Sequence, residues 1–325
     1  LTFLDPACGS GNFLTETYLS LRRLENRALL ELSHGQVTMY SASESPIQIS
    51  ISQFYGIEIN DFAVTVAKTA LWIAESQMMK ETEKILLVPL SFLPLKTNAY
   101  IIEGNALRMD WESVVPKARL NYIMGNPPFV GARLMGKAQK EDVNNIFPGW
   151  KNAGNLDYVC CWYKKASDLM QDTAIRAALV STNSVSQGES VANLWKPLFA
   201  EGVHIDFAYR TFRWDSEAKS KAHVHCVIIG FSVAANLAPK KLFDGERYQE
   251  VKNINGYLLD GENIFVESRS KPICDVPPMS LGNQPIDGGF YLFTGEEKDD
   301  FVSKEPEAEK HFRPWLGSKE FINRA

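Results

Sequence analysis

Leu4-Asp5-Pro6-Ala7-Cys8-Gly9-Ser10-Gly11-Asn12-Phe13-Leu14 reads as a short apolar strand, a tight glycine turn and the start of an amphipathic helix. Glycines in such a turn let the backbone approach a ligand, and the amides at the start of the helix can donate to it. A Gly-x-Gly pair alone is equally the mark of an ordinary strand–helix turn. No third glycine follows at the dinucleotide spacing and no Gly-Lys-Ser/Thr step follows at all, which disfavours a dinucleotide oxidoreductase and a triphosphate loop. What stands there is Asp-Pro-x-x-Gly-x-Gly-x-Phe, with Asp5 at the strand end, where a carboxylate can accept from a ligand's ammonium group.

Working outward, apolar runs alternate with amphipathic stretches. Strands are expected at 2–4, 54–59, 99–103, 120–125, 176–181, 205–210 and 224–231, and helices at 12–31, 61–80, 156–169 and 191–201. Strands separated by helices imply an α/β fold, a mostly parallel seven-stranded sheet with helices on both faces and ligands at the carboxyl ends of the strands. Two more strand ends carry polar groups. Phe54-Tyr55-Gly56-Ile57-Glu58-Ile59 ends in Glu58, an acid suited to ribose hydroxyls, further along the chain than the usual ~20 positions because residues 33–52 read as an inserted polar loop. Ile101-Ile102-Glu103-Gly104-Asn105 ends in a Gly-Asn turn whose amide can reach an adenine edge, or simply close the turn.

Tyr122-Ile123-Met124-Gly125-Asn126-Pro127-Pro128-Phe129 decides the chemistry. The two prolines fix the backbone and remove two amide donors. An exocyclic amine on a nucleobase is a poor nucleophile because its lone pair is delocalised into the ring. Asn126 Oδ1 and the Pro127 carbonyl can each accept one amine hydrogen and so favour lone-pair density on nitrogen, and Phe129 can stack on the base. No Ser–His or Cys–His nucleophile is required.

DPACGSGNF followed by NPPF resembles the S-adenosylmethionine-dependent amino-methyltransferases of DNA, which have a Rossmann-like class I methyltransferase fold. By that resemblance Asp5, Ala7, Gly9, Gly11, Asn12 and Phe13 line the S-adenosylmethionine site, Glu58 takes the ribose, and Ile59, Asn105, Ala106 and Leu107 complete it. Asn105 stands where such enzymes often carry Asp. The catalytic segment is then Asn126, Pro127, Pro128 and Phe129. Residues 126–232, through NPPFVGARLM, NLDYVCCWY, RAALVSTNSVSQG and YRTFRWDSEAKSKAHVHCVIIGF, are most similar to the MmeI-type single-chain restriction–modification enzymes. That implies a nuclease and a target-recognition domain on the same polypeptide, and a further cofactor segment upstream of the glycine turn. Such enzymes extrude the target base and stack it on aromatic groups. Phe129, Phe212 and Trp214 are the stacking candidates, and Arg133, Lys137, Arg210 and Arg213 the candidate contacts to double-stranded DNA.

The net charge of -5 argues mildly against nucleic acid, yet basic clusters stand at Arg133, Lys137 and Lys140 and at Arg210, Arg213, Lys219 and Lys221. No apolar run approaches a membrane span of roughly 18 residues. The five cysteines show no zinc-ligand spacing, so no metal is expected; adjacent Cys160 and Cys161 read as small core residues, and a reducing cytoplasm is the expected setting. The chain does not begin with Met, which points to a fragment. Residues 1–236 are expected to be the catalytic domain, 237–275 a connector, and 276–325 the opening of a target-recognition domain, with 296–310 a charged surface stretch. Asp157 is left without an assigned role. Asn before the prolines and Phe after them favour N6 of adenine; N4 of cytosine and an inactive DNA-binding scaffold remain as alternatives.

Overall fold

The computed structural model describes residues 1–32, 46–86, 98–214, 224–236, 238–269, 271–277, 287–317 and 322. Within them the chain divides into two units, Leu1–Glu267 and Ser268–Ala325.

The first unit is built on one sheet. Its strands are β1 (Phe3–Asp5), β2 (Phe54–Glu58), β3 (Tyr100–Glu103), β4 (Tyr122–Gly125), β5 (Arg176–Thr182), β6 (His204–Trp214), β7 (Val224–Ser232), β8 (Lys240–Asp244) and β9 (Arg247–Val251). They lie in the order β3-β2-β1-β4-β5-β7-β6-β8-β9. The first five are parallel, β7 runs against both β5 and β6, and β8 is parallel to β6. The carboxyl ends of β1 to β6 therefore share one edge of the sheet. β1 lies between β2 and β4, so the chain winds to one side through β2 and β3 and to the other through β4 and β5. A crevice opens at such a reversal.

The expected seven strands are all present, and the count is corrected to nine. Lys240–Asp244 and Arg247–Val251, which fall in the expected connector, form an antiparallel hairpin on the sheet's edge. Leu242 and Val251 are its buried residues, and Phe243 stacks on Tyr209 of β6 with ring centroids 4.1 Å apart. A hairpin buried on so few positions leaves little apolar periodicity to read.

Helices cover both faces. α1 (Asn12–Leu32) buries Leu14, Tyr18, Arg22, Asn26 and Leu29, an i, i+4 stripe. The polar members of the stripe meet α2 (Asp61–Leu86): Arg22 Nη2 donates to Thr82 Oγ1 at 2.7 Å, and Thr82 Oγ1 donates to Asn26 Oδ1 at 2.7 Å. α2 runs six residues beyond the expected end because Thr82 and Leu86 continue its buried face. On the other face α4 (Cys160–Met170) buries Cys160 and Cys161 completely. It packs with a helical segment, 188–200, whose centre Val191–Trp195 is a π-turn just ahead of Pro197. The short helix α3 (Lys137–Ile146) buries only Asp142 and Val143. No described helix is long and apolar enough to cross a membrane.

In the second unit, Thr294 and Glu297 cap a helix, Gly295–Lys304, within the charged stretch 296–310. Phe293, Phe301 and Phe312 form an aromatic cluster beside it, with centroids 5.1 to 6.0 Å apart.

Candidate active site

Asp5 and Asn126 come together because β1 and β4 are neighbours in parallel register, Leu4 beside Ile123. Gly125 is what lets them approach: a β-carbon there would stand 2.4 Å from Asp5 Oδ1. Burial pushes the Asp5 carboxyl up to about 7; the Ala7 amide, donating to Oδ1 at 3.0 Å, opposes the shift, and the Glu58 charge adds to it. In the glycine turn Gly9 and Gly11 take left-handed φ values of +53° and +81°. A side chain on Gly11 would also meet Ala67 of α2 at 2.9 Å, whereas the space beside Gly9 is open.

The Glu58 carboxylate is fixed by two backbone donors, Gly9 N to Oε2 and Asn60 N to Oε1, both at 2.9 Å. It thus ties the glycine turn to the end of β2, with lone pairs to spare.

Between these strand ends lies a cavity of about 690 Å³. Of the residues expected at the site, Ala7, Glu58, Ile59, Asn105, Ala106, Asn126 and Pro128 line it. Asp5, Gly9, Gly11, Asn12, Phe13, Leu107, Pro127 and Phe129 do not. Phe129 is half-buried against the core. Asn126 Oδ1 is buried and has no hydrogen-bond partner among the described residues. A buried amide oxygen without a donor is costly unless something is to be bound there.

Asn105, which lines the same cavity, uses both ends of its amide within the protein. Its Oδ1 accepts from Leu107 N at 2.9 Å, and its Nδ2 donates to Asp142 at 3.4 Å. Asp142, buried on α3, also accepts from Arg108 Nε at 2.7 Å and from the Tyr158 hydroxyl at 2.8 Å. Burial and that bond to Asp142 push the Tyr158 hydroxyl well up, so it is a donor throughout the ordinary pH range.

Residues 1–244 match the MmeI DNA-methyltransferase domain family, and residues 260–325 the MmeI target recognition domain family. The chain belongs to the MmeI DNA-methyltransferase family. DNA methyltransferase A of Bacillus subtilis (strain 168) is 44% identical over 99% of this chain and 37% of its own length. The structure of the Type IIL restriction–modification enzyme MmeI in complex with DNA matches with a TM-score of 0.89 at 42% identity, over 99% of this chain and 44% of that one. A putative type II restriction enzyme and methyltransferase of Methanocaldococcus jannaschii is 34% identical over 74 residues, 23% of this chain and 6% of its own. The chain spans less than half the length of each of these relatives.

The two basic clusters of this MmeI-family chain differ. Arg133 and Lys137, just past the NPPF segment, are exposed and make no ion pair among the described residues. Arg210 is partly neutralised by Asp244 at 3.8 Å, and its Nε donates to the Leu258 carbonyl at 3.2 Å. Arg213 and half-buried Phe212 lie at the carboxyl end of β6, as does the backbone of Trp214; the Trp214 side chain, Lys219 and Lys221 lie outside the described residues. That end lies on the same side of the sheet as Asn126 but three strands away, and the register sets Gly125 level with Ala208, so Phe212 and Arg213 also stand four and five residues further along the strand.

Several cavity residues carry no motif that a single sequence reveals. Asp142, Tyr158 and Trp162 all line it. The Trp162 indole donates to the Pro6 carbonyl at 3.1 Å, which joins α4 to the glycine turn. The available signal was NLDYVCCW itself, an apolar helix start preceded by polar groups and following the catalytic strand.

Proposed function

We propose that this chain is the catalytic part of an S-adenosylmethionine-dependent DNA methyltransferase that modifies N6 of adenine, within an MmeI-type restriction–modification polypeptide. The observation that carries the reading is the partnerless, buried Oδ1 of Asn126 on the cavity wall, next to two prolines. An amide oxygen in that condition suits an N–H donor, and an exocyclic amine offers one.

The cavity fits an adenosine-bearing cofactor in volume and in donor set. Glu58 would face the ribose hydroxyls, and Ile59, Asn105 and Ala106 the adenine, while Asp5 and Leu107, buried behind the lining, would act from there, Asp5 through its charge on the ammonium group. When bound, S-adenosylmethionine supplies an electrophilic methyl group. Asn126 Oδ1 and the Pro127 carbonyl accept the two hydrogens of the target amine and hold its lone pair out of conjugation. Phe129 is the first candidate to stack on the extruded base, with Phe212 and Trp214 further along the edge.

Arg133 and Lys137 are the stronger candidates for phosphate contact, Arg210 and Arg213 the weaker. We place the catalytic domain in the unit ending at Glu267 and the start of a target-recognition domain in the unit that follows. A nuclease elsewhere on the same full-length polypeptide would suit the restriction–modification relatives.

The test is to incubate the full-length protein with unmethylated plasmid and methyl-labelled S-adenosylmethionine, then digest the DNA and separate the nucleosides. Label in N6-methyladenine is expected. Label in N4-methylcytosine would overturn the choice of base, and absence of label would overturn the enzyme class.

A further inference from the structure

Asp157, at the head of α4, is the carboxylate to which the sequence assigned no role. It is 9% exposed. Its Oδ1 accepts from the backbone of Val130 and of Val159, both at 3.1 Å, and its Oδ2 accepts from Thr182 Oγ1 at 3.4 Å. The next residue completes the hold: Tyr158 N donates to the Val130 carbonyl at 3.0 Å. Both polar groups of Val130 are thus taken by two consecutive residues, and one carboxylate links the catalytic loop, the first turn of α4 and the end of β5.

We propose that Asp157 is a positioning residue for methyl transfer. The proposal rests on the reading of Asn126 given above. The loop after β4 is irregular, and Pro127 and Pro128 supply no N–H, so few backbone donors can anchor it. Val130 offers one, and Asp157 takes it. Because the prolines restrict the backbone between them, a fix at Val130 also fixes Asn126 four residues earlier. Without the carboxylate, two buried amides lose their acceptor and the loop can drift relative to the cavity. Tyr158 and Trp162 serve the cofactor side of the same cavity through Asp142 and Pro6, so the two functions of this helix head are separable by mutation.

The test uses the full-length protein and reads kcat, cofactor Kd and thermal unfolding. Asp157→Ala should lose about 100-fold in kcat, the scale of an ångström-sized misplacement. Its cofactor Kd should stay within about threefold, as expected when an interaction of the reacting geometry alone is removed. Asp157→Asn should recover most of the loss, since its Oδ1 still accepts both amides and its NH2 can donate to the Thr182 hydroxyl oxygen.

Wild-type kcat in Asp157→Ala, a parallel loss of cofactor affinity, or an Asn variant as poor as Ala would each overturn the proposal. Should the Ala variant not fold, Thr182→Val tests the same hold: a several-fold drop in kcat at unchanged cofactor Kd supports it, and a wild-type kcat refutes it. If Asn126→Ala still transfers methyl, the reading of the site fails; if Asn126→Ala is dead while Asp157→Ala is fully active, only this inference fails.

Discussion

Two asparagines line one cavity, and they are held differently. Asn105 uses both ends of its amide inside the protein, on Leu107 and Asp142. Asn126 stands on a loop anchored elsewhere, and its oxygen meets no donor among the described residues. The first is part of the wall that shapes the cavity. We read the second as the acceptor kept for a bound N–H donor. On the proposed reading the same residue type does structural work at the end of β3 and chemical work at the end of β4, and the difference lies in which hydrogen bonds are already made.

The broadest effect should come from a change that erases the distinction. Gly125→Ala puts a methyl group against the Asp5 carboxylate, which touches both halves of the site at once. Transfer and cofactor binding should fall together, kcat/KM by about 100-fold or more; a variant that lost one and kept the other would show that the halves do not meet at Gly125.

Asn105→Ala should act on the cofactor side alone. Loss of one satisfied amide, about 1.4 kcal/mol, should weaken cofactor Kd about tenfold and leave kcat at saturation little changed. Titration calorimetry beside single-turnover rates checks this split.

Acidity sharpens the same contrast. With the Asp5 carboxyl raised to about 7, it is largely protonated at pH 6 and ionised at pH 8. The cofactor carries an ammonium and a sulfonium, so its affinity should rise with pH across that window, and Asp5→Asn should bind weakly and without the pH dependence. Stability runs the other way. A carboxyl whose folded value lies above its ordinary 3.8 keeps its proton in the folded state after the unfolded chain has released it, so stability falls as pH rises from about 4 to about 7. Asp5→Asn escapes that loss and should melt higher than wild type at pH 8.

The smallest effect concerns DNA. Reversing both Arg133 and Lys137 to Glu should raise the KM for DNA and flatten its salt dependence by about two counterions. Reversing both Arg210 and Arg213 to Glu should do less, since Arg210 is already partly committed to Asp244 and Leu258. Equal effects would mean that both clusters face the duplex.

The sequence carried the left side of the sheet well, because β1, β2 and β4 each end in a polar group that marks the ligand edge. It did not reveal β8 and β9, where Lys240–Asp244 and Arg247–Val251 alternate too weakly and carry too much charge to read as strands. Within the site, local motifs marked Asp5, Glu58 and Asn126. Asp142, Asp157, Tyr158 and Trp162 reach the site only through tertiary packing of α3 and α4, and the hydrogen bonds that place them span 16 to 156 positions of sequence that no local pattern connects.

The most direct test of the central claim is single-turnover transfer from labelled S-adenosylmethionine to plasmid by Asn126→Ala, with cofactor affinity measured on the same preparation. The account requires transfer to fall by about 1,000-fold, the upper range for removing one preorganised hydrogen-bonding group, while cofactor affinity holds. Transfer near the wild-type rate would contradict it, because the partnerless oxygen would then have no part in the chemistry.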